Sequence, residues 1–301
     1  MTVHLSGGTR GVLDRPYLLL VSTMLFWGGN SVAGKAAVGS VPPMALTTFR
    51  WLLACILLLI IGHSHIRQDW SIIKRHWKQF FVFGALGMAA FNILMYNALY
   101  YTSAINVTIE QSGMPMIIVL VNLLIFRERV SPTMLVGMSL SIGGVLVTAA
   151  HGDLTTLFDL EINQGDALML IAVLIYAFYS VILRNRPQLH WLSFMMAVSV
   201  GALITSLPFF AYEMSQGIVF EPSTKGVLLI AYVTIFPSIV SQIFYARSVD
   251  LIGANRAGLF VNLVPLFGSA LAILLIGEEA ALYHIVGYAL ILAGIYIAQR
   301  R

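Results

Sequence analysis

The sequence predicts an all-α integral membrane protein of ten transmembrane helices, arranged as two inverted five-helix repeats. Composition is the first observation: of 301 residues, 59% are hydrophobic and 10% charged, where soluble domains carry roughly 25% charged residues. Self-similarity is the second. At a shift of 150 positions Pro115 answers Pro265, Glu128 answers Glu278, Gly137 answers Gly287 and Gly144 answers Gly294. The third is arithmetic: each half reads as five apolar spans, and an odd number makes the second copy enter the bilayer upside down.

A helix needs about 20 apolar residues to cross a hydrocarbon core of about 30 Å, and that length sets the spans. The first repeat, 17–149, holds spans at 17–38, 44–62, 79–99, 104–126 and 132–150; the second, 165–298, holds them at 165–183, 191–211, 226–246, 255–276 and 281–298. The first span follows a polar stretch with Arg10 and Arg15 and lacks a small-residue cleavage site, so it is expected to stay as a helix rather than leave as a signal peptide. Span 2 contains Cys55, the only cysteine, which excludes an intramolecular disulfide or a thiolate metal cluster. The basic 62–79 stretch reads as a solvated loop, and the acidic stretch from His151 to Asp166 as the linker between the halves. The glycines at 84, 87, 137, 143, 144, 287 and 294 are expected to let helices approach closely.

Charge placement sets the orientation. With both termini in the cytoplasm, Arg10, Arg15, Arg67, Lys74, Arg75, Lys78, Arg127, Arg129, Arg184, Arg186, Arg247, Arg256, Arg300 and Arg301 fall on that side, and only Lys35, Arg50 and Lys225 on the other. Fourteen against three is a strong positive-inside signal, and it accounts for the net charge of +4 without a nucleic-acid partner. Trp70, Trp77 and Trp191 fall where headgroup-level anchors belong.

Several motifs dissolve on inspection. Gly29 to Lys35 fits most of a phosphate loop but ends in Ala36, with no strand before it. His63, His65 and His76 have the look of metal ligands but sit in the basic stretch, and the sequon Asn106-Val107-Thr108 falls in span 4. No zinc-protease motif, intramembrane aspartate pair, serine elbow or Walker motif is present, so neither catalysis, nor ATP coupling, nor a cofactor or metal is expected.

The segment from Asn262 through Pro265 and Phe267 to Gly277-Glu278-Glu279, then Gly287 and Gly294, resembles the EamA domain of the drug/metabolite transporter superfamily. The first copy offers Met114-Pro115, Phe126-Arg127-Glu128-Arg129, Gly137 and Gly143-Gly144, with Phe26-Trp27-Gly28 in span 1. The family often places glutamate before the proline of spans 4 and 9; here Met114 and Val264 stand there. The resemblance implies a cavity lined by spans 1, 3, 4, 6, 8 and 9, with spans 5 and 10 as scaffold. It also implies export of small metabolites across the inner membrane, most similar to the exporters of amino acids, aromatic ones included. The expected partners are a small-molecule substrate and the lipid bilayer, with the chain acting as a monomer.

Polar and aromatic residues at bilayer depth supply the candidate site, because burial there is expensive unless they line a cavity or a helix interface. They are Trp27 and Asn30 in span 1; Asn92 and Tyr96, with Tyr100, on one face of span 3; Glu110 and Gln111 in span 4; Tyr176 and Tyr179 in span 6; Ser241, Gln242 and Tyr245, with Ser238, in span 8; and Asn262 in span 9. Organophosphates require several inward cations, and only Lys35 and Arg50 qualify, which favours a zwitterion such as an amino acid. A cationic drug would instead use Glu110 and the tyrosines. Pro115 and Pro265 each lack an N–H and free the carbonyls of Gln111 and Val261, which marks two hinges. Glu110 and Arg50 both lie roughly 9 Å inside the outer face at about 1.5 Å per residue, so they are expected to pair, either as a structural ion pair or as a pair that borders the outer cavity and binds the substrate's charged ends, with proton exchange at Glu110 as the other functional reading.

Overall fold

The computed structural model describes residues 14–126, 131–153, 155, 163–252, 257 and 260–299. Glu128, Asn255 and the arginines at 127, 129 and 256 therefore lie outside the described residues. Among the described residues all regular structure is helical. The helices are α1 (Pro16–Ala37), α2 (Pro43–Arg75), α3 (Trp77–Ala98), α4 (Ala104–Ser112), α5 (Met114–Phe126), α6 (Pro132–Ala149), α7 (Gln164–Ile182), α8 (Trp191–Ser215), α9 (Thr224–Ile252), α10 (Phe260–Ile276) and α11 (Leu282–Gln299). Helix starts follow local chemistry: Pro16, Pro43 and Pro132 occupy first-turn positions, where a missing N–H is harmless. The Ser103, Ser131 and Ser223 side chains each accept a backbone N–H three residues on.

By length and apolarity six of these helices can cross a membrane, and seven once the bent pair α4–α5 counts as one span. This differs from the ten expected spans. Helix α1 has 22 residues but is diluted by Gly28, Gly29, Asn30, Ser31 and Lys35, while Phe260–Ile276 and Leu282–Ala298 are shorter apolar helices. The basic 62–79 stretch is also not a loop, because α2 runs on to Arg75 and α3 begins at Trp77. There the His65 ring stacks on His190 at 3.6 Å.

The burial pattern is that of a protein solvated by hydrocarbon. Leu124, Leu274, Leu275, Leu282 and Ile60 are exposed, while Arg50, Asn92, Asn106, Glu110 and Asp166 are buried. Helices α6 and α11 pack antiparallel through reciprocal glycines: a Cβ on Gly144 would sit 2.5 Å from the Gly287 carbonyl oxygen, and Gly137 faces Gly294 in the same way. Gly143 corrects the sequence reading, since nothing lies within 4 Å of the Cβ it lacks. Two seven-residue π-helical segments, Gly84–Ala90 in α3 and Thr234–Val240 in α9, begin 150 positions apart. Such bulges redirect side chains and recur at functional sites.

Two carboxylates pin helix starts at one end of the bundle. Glu278 accepts the backbone N–H groups of Ala104 and Ile105 at 2.7 and 3.0 Å. Glu213 accepts those of Met44 and Ala45 at 3.2 and 3.0 Å. A negative charge at a helix N-terminus satisfies orphan donors and opposes the macrodipole.

Candidate functional site

A cavity of about 540 Å³ opens between α1, α2, α3, the α4–α5 bend, α7, α8, α9 and α10. Trp27, Asn30, Asn92, Gln111, Tyr176, Gln242 and Tyr245 line it, as the sequence predicts, and so does Pro115. Arg50, Trp51, Met88, Phe91, Ser112, Ile118, Met195 and Ser238 complete much of its wall. Helices α6 and α11 contribute none of the lining, whereas α2 and α8 enter it, unlike the expected set of spans.

Arg50 organises the polar wall. Its Nε donates to Ser238 Oγ at 2.7 Å. Its Nη1 donates to Asn30 Oδ1 at 3.0 Å, Asn92 Oδ1 at 2.8 Å and the Tyr96 hydroxyl at 2.5 Å. Nη2 makes no hydrogen bond among the described residues, so two donors of the guanidinium fork remain for a ligand. Ser238 is available as acceptor because of a backbone break. Pro237 has no N–H for the Val233 carbonyl, and the Ser238 hydroxyl donates to that oxygen at 2.7 Å instead. The remaining walls are aromatic, with Trp27 against Tyr245 at 5.5 Å and Phe91 against Tyr176 at 5.2 Å. Among the described residues no aspartate or glutamate lines the cavity.

Other expected site residues lie elsewhere. Tyr96 is buried behind the wall and holds Arg50 and Asn30. Tyr179 packs its ring over Gly87. Ser241 is buried, and its carbonyl accepts from Thr23 at 3.4 Å. Asn262 offers its carbonyl to the Tyr288 hydroxyl. Tyr100 is 41% exposed past the end of α3.

The Glu110–Arg50 pair does not form. Both Glu110 carboxyl oxygens are buried without a hydrogen-bond partner, and Arg50 is committed to neutral groups. The rotation of α4 turns Glu110 away from the cavity that its neighbour Gln111 enters. The two proline sites sit at breaks: α4 and α5 are bent by 42° at Gly113, just before Pro115. Pro265 stands in the first α-turn after the 3₁₀ segment Phe260–Leu263. The sequence marks Arg50 as one of two inward cations, but paired with Glu110 rather than with Ser238, Asn30, Asn92 and Tyr96.

The phosphate-loop look-alike is likewise structural. It lies inside α1, and Lys35 Nζ donates to the carbonyls of Leu99 and Thr102 at 2.8 and 2.6 Å.

Comparison with known proteins follows the same doubling. The model of the EamA-like transporter family matches residues 14–150 and again 163–299. The chain belongs to the EamA-like transporter family. It is similar to the uncharacterized transporter YyaM of Bacillus subtilis, 23% identical over 94% of this chain and 93% of that protein. An uncharacterized transporter of Archaeoglobus fulgidus is 26% identical over 96% of this chain and 98% of its own. A crystal structure 20% identical in sequence shares the fold with a TM-score of 0.60, covering 94% of this chain and 96% of its own. This EamA-like transporter is thus a multi-pass membrane protein.

Proposed function

We propose that this EamA-like transporter exports amino acids, aromatic ones among them, across the inner membrane by alternating access. The observation that carries the reading is the unpartnered Nη2 edge of Arg50 in a wall of aromatic rings. A bidentate carboxylate suits the guanidinium fork, and Trp27, Phe91, Tyr176 and Tyr245 offer stacking to an apolar side chain. The Gln111 and Gln242 side-chain carbonyls are acceptors for an ammonium group. A cationic drug is the weaker reading, because it would face Arg50 with no acid in the lining.

In this reading the chain crosses the membrane ten times as two inverted repeats, 17–149 and 165–298, with cytoplasmic termini. The paired π segments and the reciprocal Gly137–Gly294 and Gly144–Gly287 contacts support the repeat, and the arginine distribution supports the orientation. The end pinned by Glu278 and Glu213 is then the outer gate, shut, with the cavity on its cytoplasmic side. Pro115 and Pro265 would act as the hinges. Counterflow in proteoliposomes containing only this protein tests the substrate. Saturable exchange of phenylalanine, tyrosine and leucine is expected; exchange of tetraphenylphosphonium alone would replace the proposal with the drug reading.

A further inference from the structure

Glu110 is fully buried, and neither carboxyl oxygen has a hydrogen-bond partner. It sits about 100° around α4 from Gln111, which lines the cavity, and one turn from Asn106, about 6 Å along the axis. Asn106 belongs to a compact polar cluster that the central cavity does not include. Its Nδ2 lies 2.9 Å from His151 Nε2 and donates to Thr102 Oγ1 at 3.1 Å, while its Oδ1 lies 2.8 Å from His284 Nε2. Asp166, itself buried, accepts from Thr102 Oγ1 at 2.5 Å and meets His151 Nε2 at 2.8 Å.

The proton positions are constrained. Ala281 N–H donates to His284 Nδ1 at 2.8 Å, so the His284 proton is on Nε2, and Asn106 must turn its oxygen to it. The Asn106 amine therefore faces His151 and Asp166. His151 Nε2 lies 2.8 Å from Asp166 Oδ2, and the His151 side chain is 44% exposed while that of Asp166 is 0%. The cluster runs from the exposed His151 to Asn106, which stands one turn before Glu110 on α4.

We propose that Glu110 is a proton-binding site, offset from the substrate cavity and loaded from the Glu278 end through His151 and Asp166. A bare carboxylate with no donor and no cation is among the most expensive groups to bury, and a proton removes the charge. No cation faces it. Helix α1 offers Lys35, held by the Leu99 and Thr102 carbonyls. Past α10 stands Glu278, held by Ala104 and Ile105 N–H. Helix α11 offers Tyr283, His284 and Tyr288, α7 offers Asp166 and Tyr176, and His151 follows α6.

Loading adds one proton to a Glu110 oxygen, taken from water through His151 Nε2, and unloading returns it to water on the other side; no heavy-atom bond changes. The Glu110 carbonyl accepts from Gly113 N–H at 3.2 Å, at the 42° break whose other face presents Gln111 and Ser112 to the cavity. Occupancy of Glu110 and the shape of the cavity therefore share one joint. Only this coupling rests on the transport reading; the proton site does not.

The test is an infrared pH titration of the full chain in lipid vesicles, without substrate, using protein labelled with ¹³C-carboxyl glutamate. We expect an isotope-shifted carbonyl band of a protonated carboxyl that is lost at high pH, is absent in Glu110→Gln, and has its midpoint moved in Asp166→Asn. Should Glu110→Gln fail to fold, survival of the band when each of the other six glutamates, Glu128, Glu161, Glu213, Glu221, Glu278 and Glu279, is replaced by glutamine assigns it. No such band, a band insensitive to pH, or a band that persists in folded Glu110→Gln overturns the proposal. Phenylalanine-driven collapse of an imposed pH gradient, read with trapped pyranine, then tests coupling. If phenylalanine is not carried, the infrared result still decides the proton site.

Discussion

Replacing Arg50 with lysine separates holding a substrate carboxylate from holding the cavity wall. The guanidinium makes four hydrogen bonds, to Ser238, Asn30, Asn92 and Tyr96, and keeps Nη2 for a ligand. An ammonium has three donors at one point, so three wall acceptors exhaust it and the carboxylate loses its fork. Charge is conserved, so the loss is of charge-assisted hydrogen bonds, about 1.5–3 kcal/mol for one. That corresponds to a fall in affinity of roughly 10- to 150-fold. The wall loses about one bond, so stability should fall by only about 1 kcal/mol. Arg50→Ala would be a poorer experiment, since it strands buried Asn30, Asn92 and Tyr96 at about 1–3 kcal/mol each. The assay is amino-acid counterflow across a substrate series, with thermal melting of the same preparation. A lysine variant with unchanged KM and a lowered melting temperature would refute the reasoning and leave Arg50 as scaffold.

Gly144→Val should destabilise the protein by about 1–3 kcal/mol, because its Cβ meets the Gly287 carbonyl at 2.5 Å, whereas Gly143→Ala, in open space, should be neutral or stabilising; melting of both variants checks this. Replacing Pro115 and Pro265 together with alanine should slow turnover several-fold while leaving substrate affinity within about twofold, since the restored N–H stiffens each break; unchanged turnover would show that neither is a hinge. His190, just outside α8, has its pKa lowered by burial and by the stacked His65, against a smaller opposing pull from Asp69. Its Nδ1 accepts the Leu192 N–H, which a second ring proton forbids. Stability from His190 should therefore be present above the unfolded value of about 6.5 and be lost as pH falls below it. The melting temperature should drop between about pH 8 and pH 5, and less so in His190→Asn, which keeps a cap. Cysteines placed at Asp69 and Asp153 in a Cys55→Ser background should label from opposite faces of the vesicle, and labelling of both from outside would reject the proposed orientation.

The punctuation of the chain was readable because glycine and proline leave geometric marks that survive without any alignment. Gly137, Gly144, Gly287 and Gly294 are spaced for close approach, and they do meet across α6 and α11. The extension of α2 through Arg67, Asp69, Lys74 and Arg75 was hidden because hydropathy marks the end of the membrane and not the end of the helix. The uninterrupted run without glycine or proline between Gly62 and Gly84 was the available signal. The π segments were not legible: their residues are ordinary apolar ones, and the register shift belongs to packing rather than propensity.

At the site, azimuth was not legible. Counting residues put Glu110 and Arg50 at one level, and the structure separates them because level says nothing about which way a helix is turned. Glu110 and Gln111 are neighbours in sequence and therefore about 100° apart around α4. Gln111 donates to Ser31 at 3.2 Å and lines the cavity, while Glu110 lies one turn after Asn106, which joins the His151, Asp166 and His284 cluster. A single helix thus presents one polar residue to each of two compartments, immediately before the Gly113 break. Adding a proton on one side changes what the buried face of α4 can tolerate against α6, α7 and α11. Any rotation or straightening at Gly113 that follows must move Gln111 and Ser112 on the other side, which is the form a coupling between two sites has to take when no chain of contacts joins them directly.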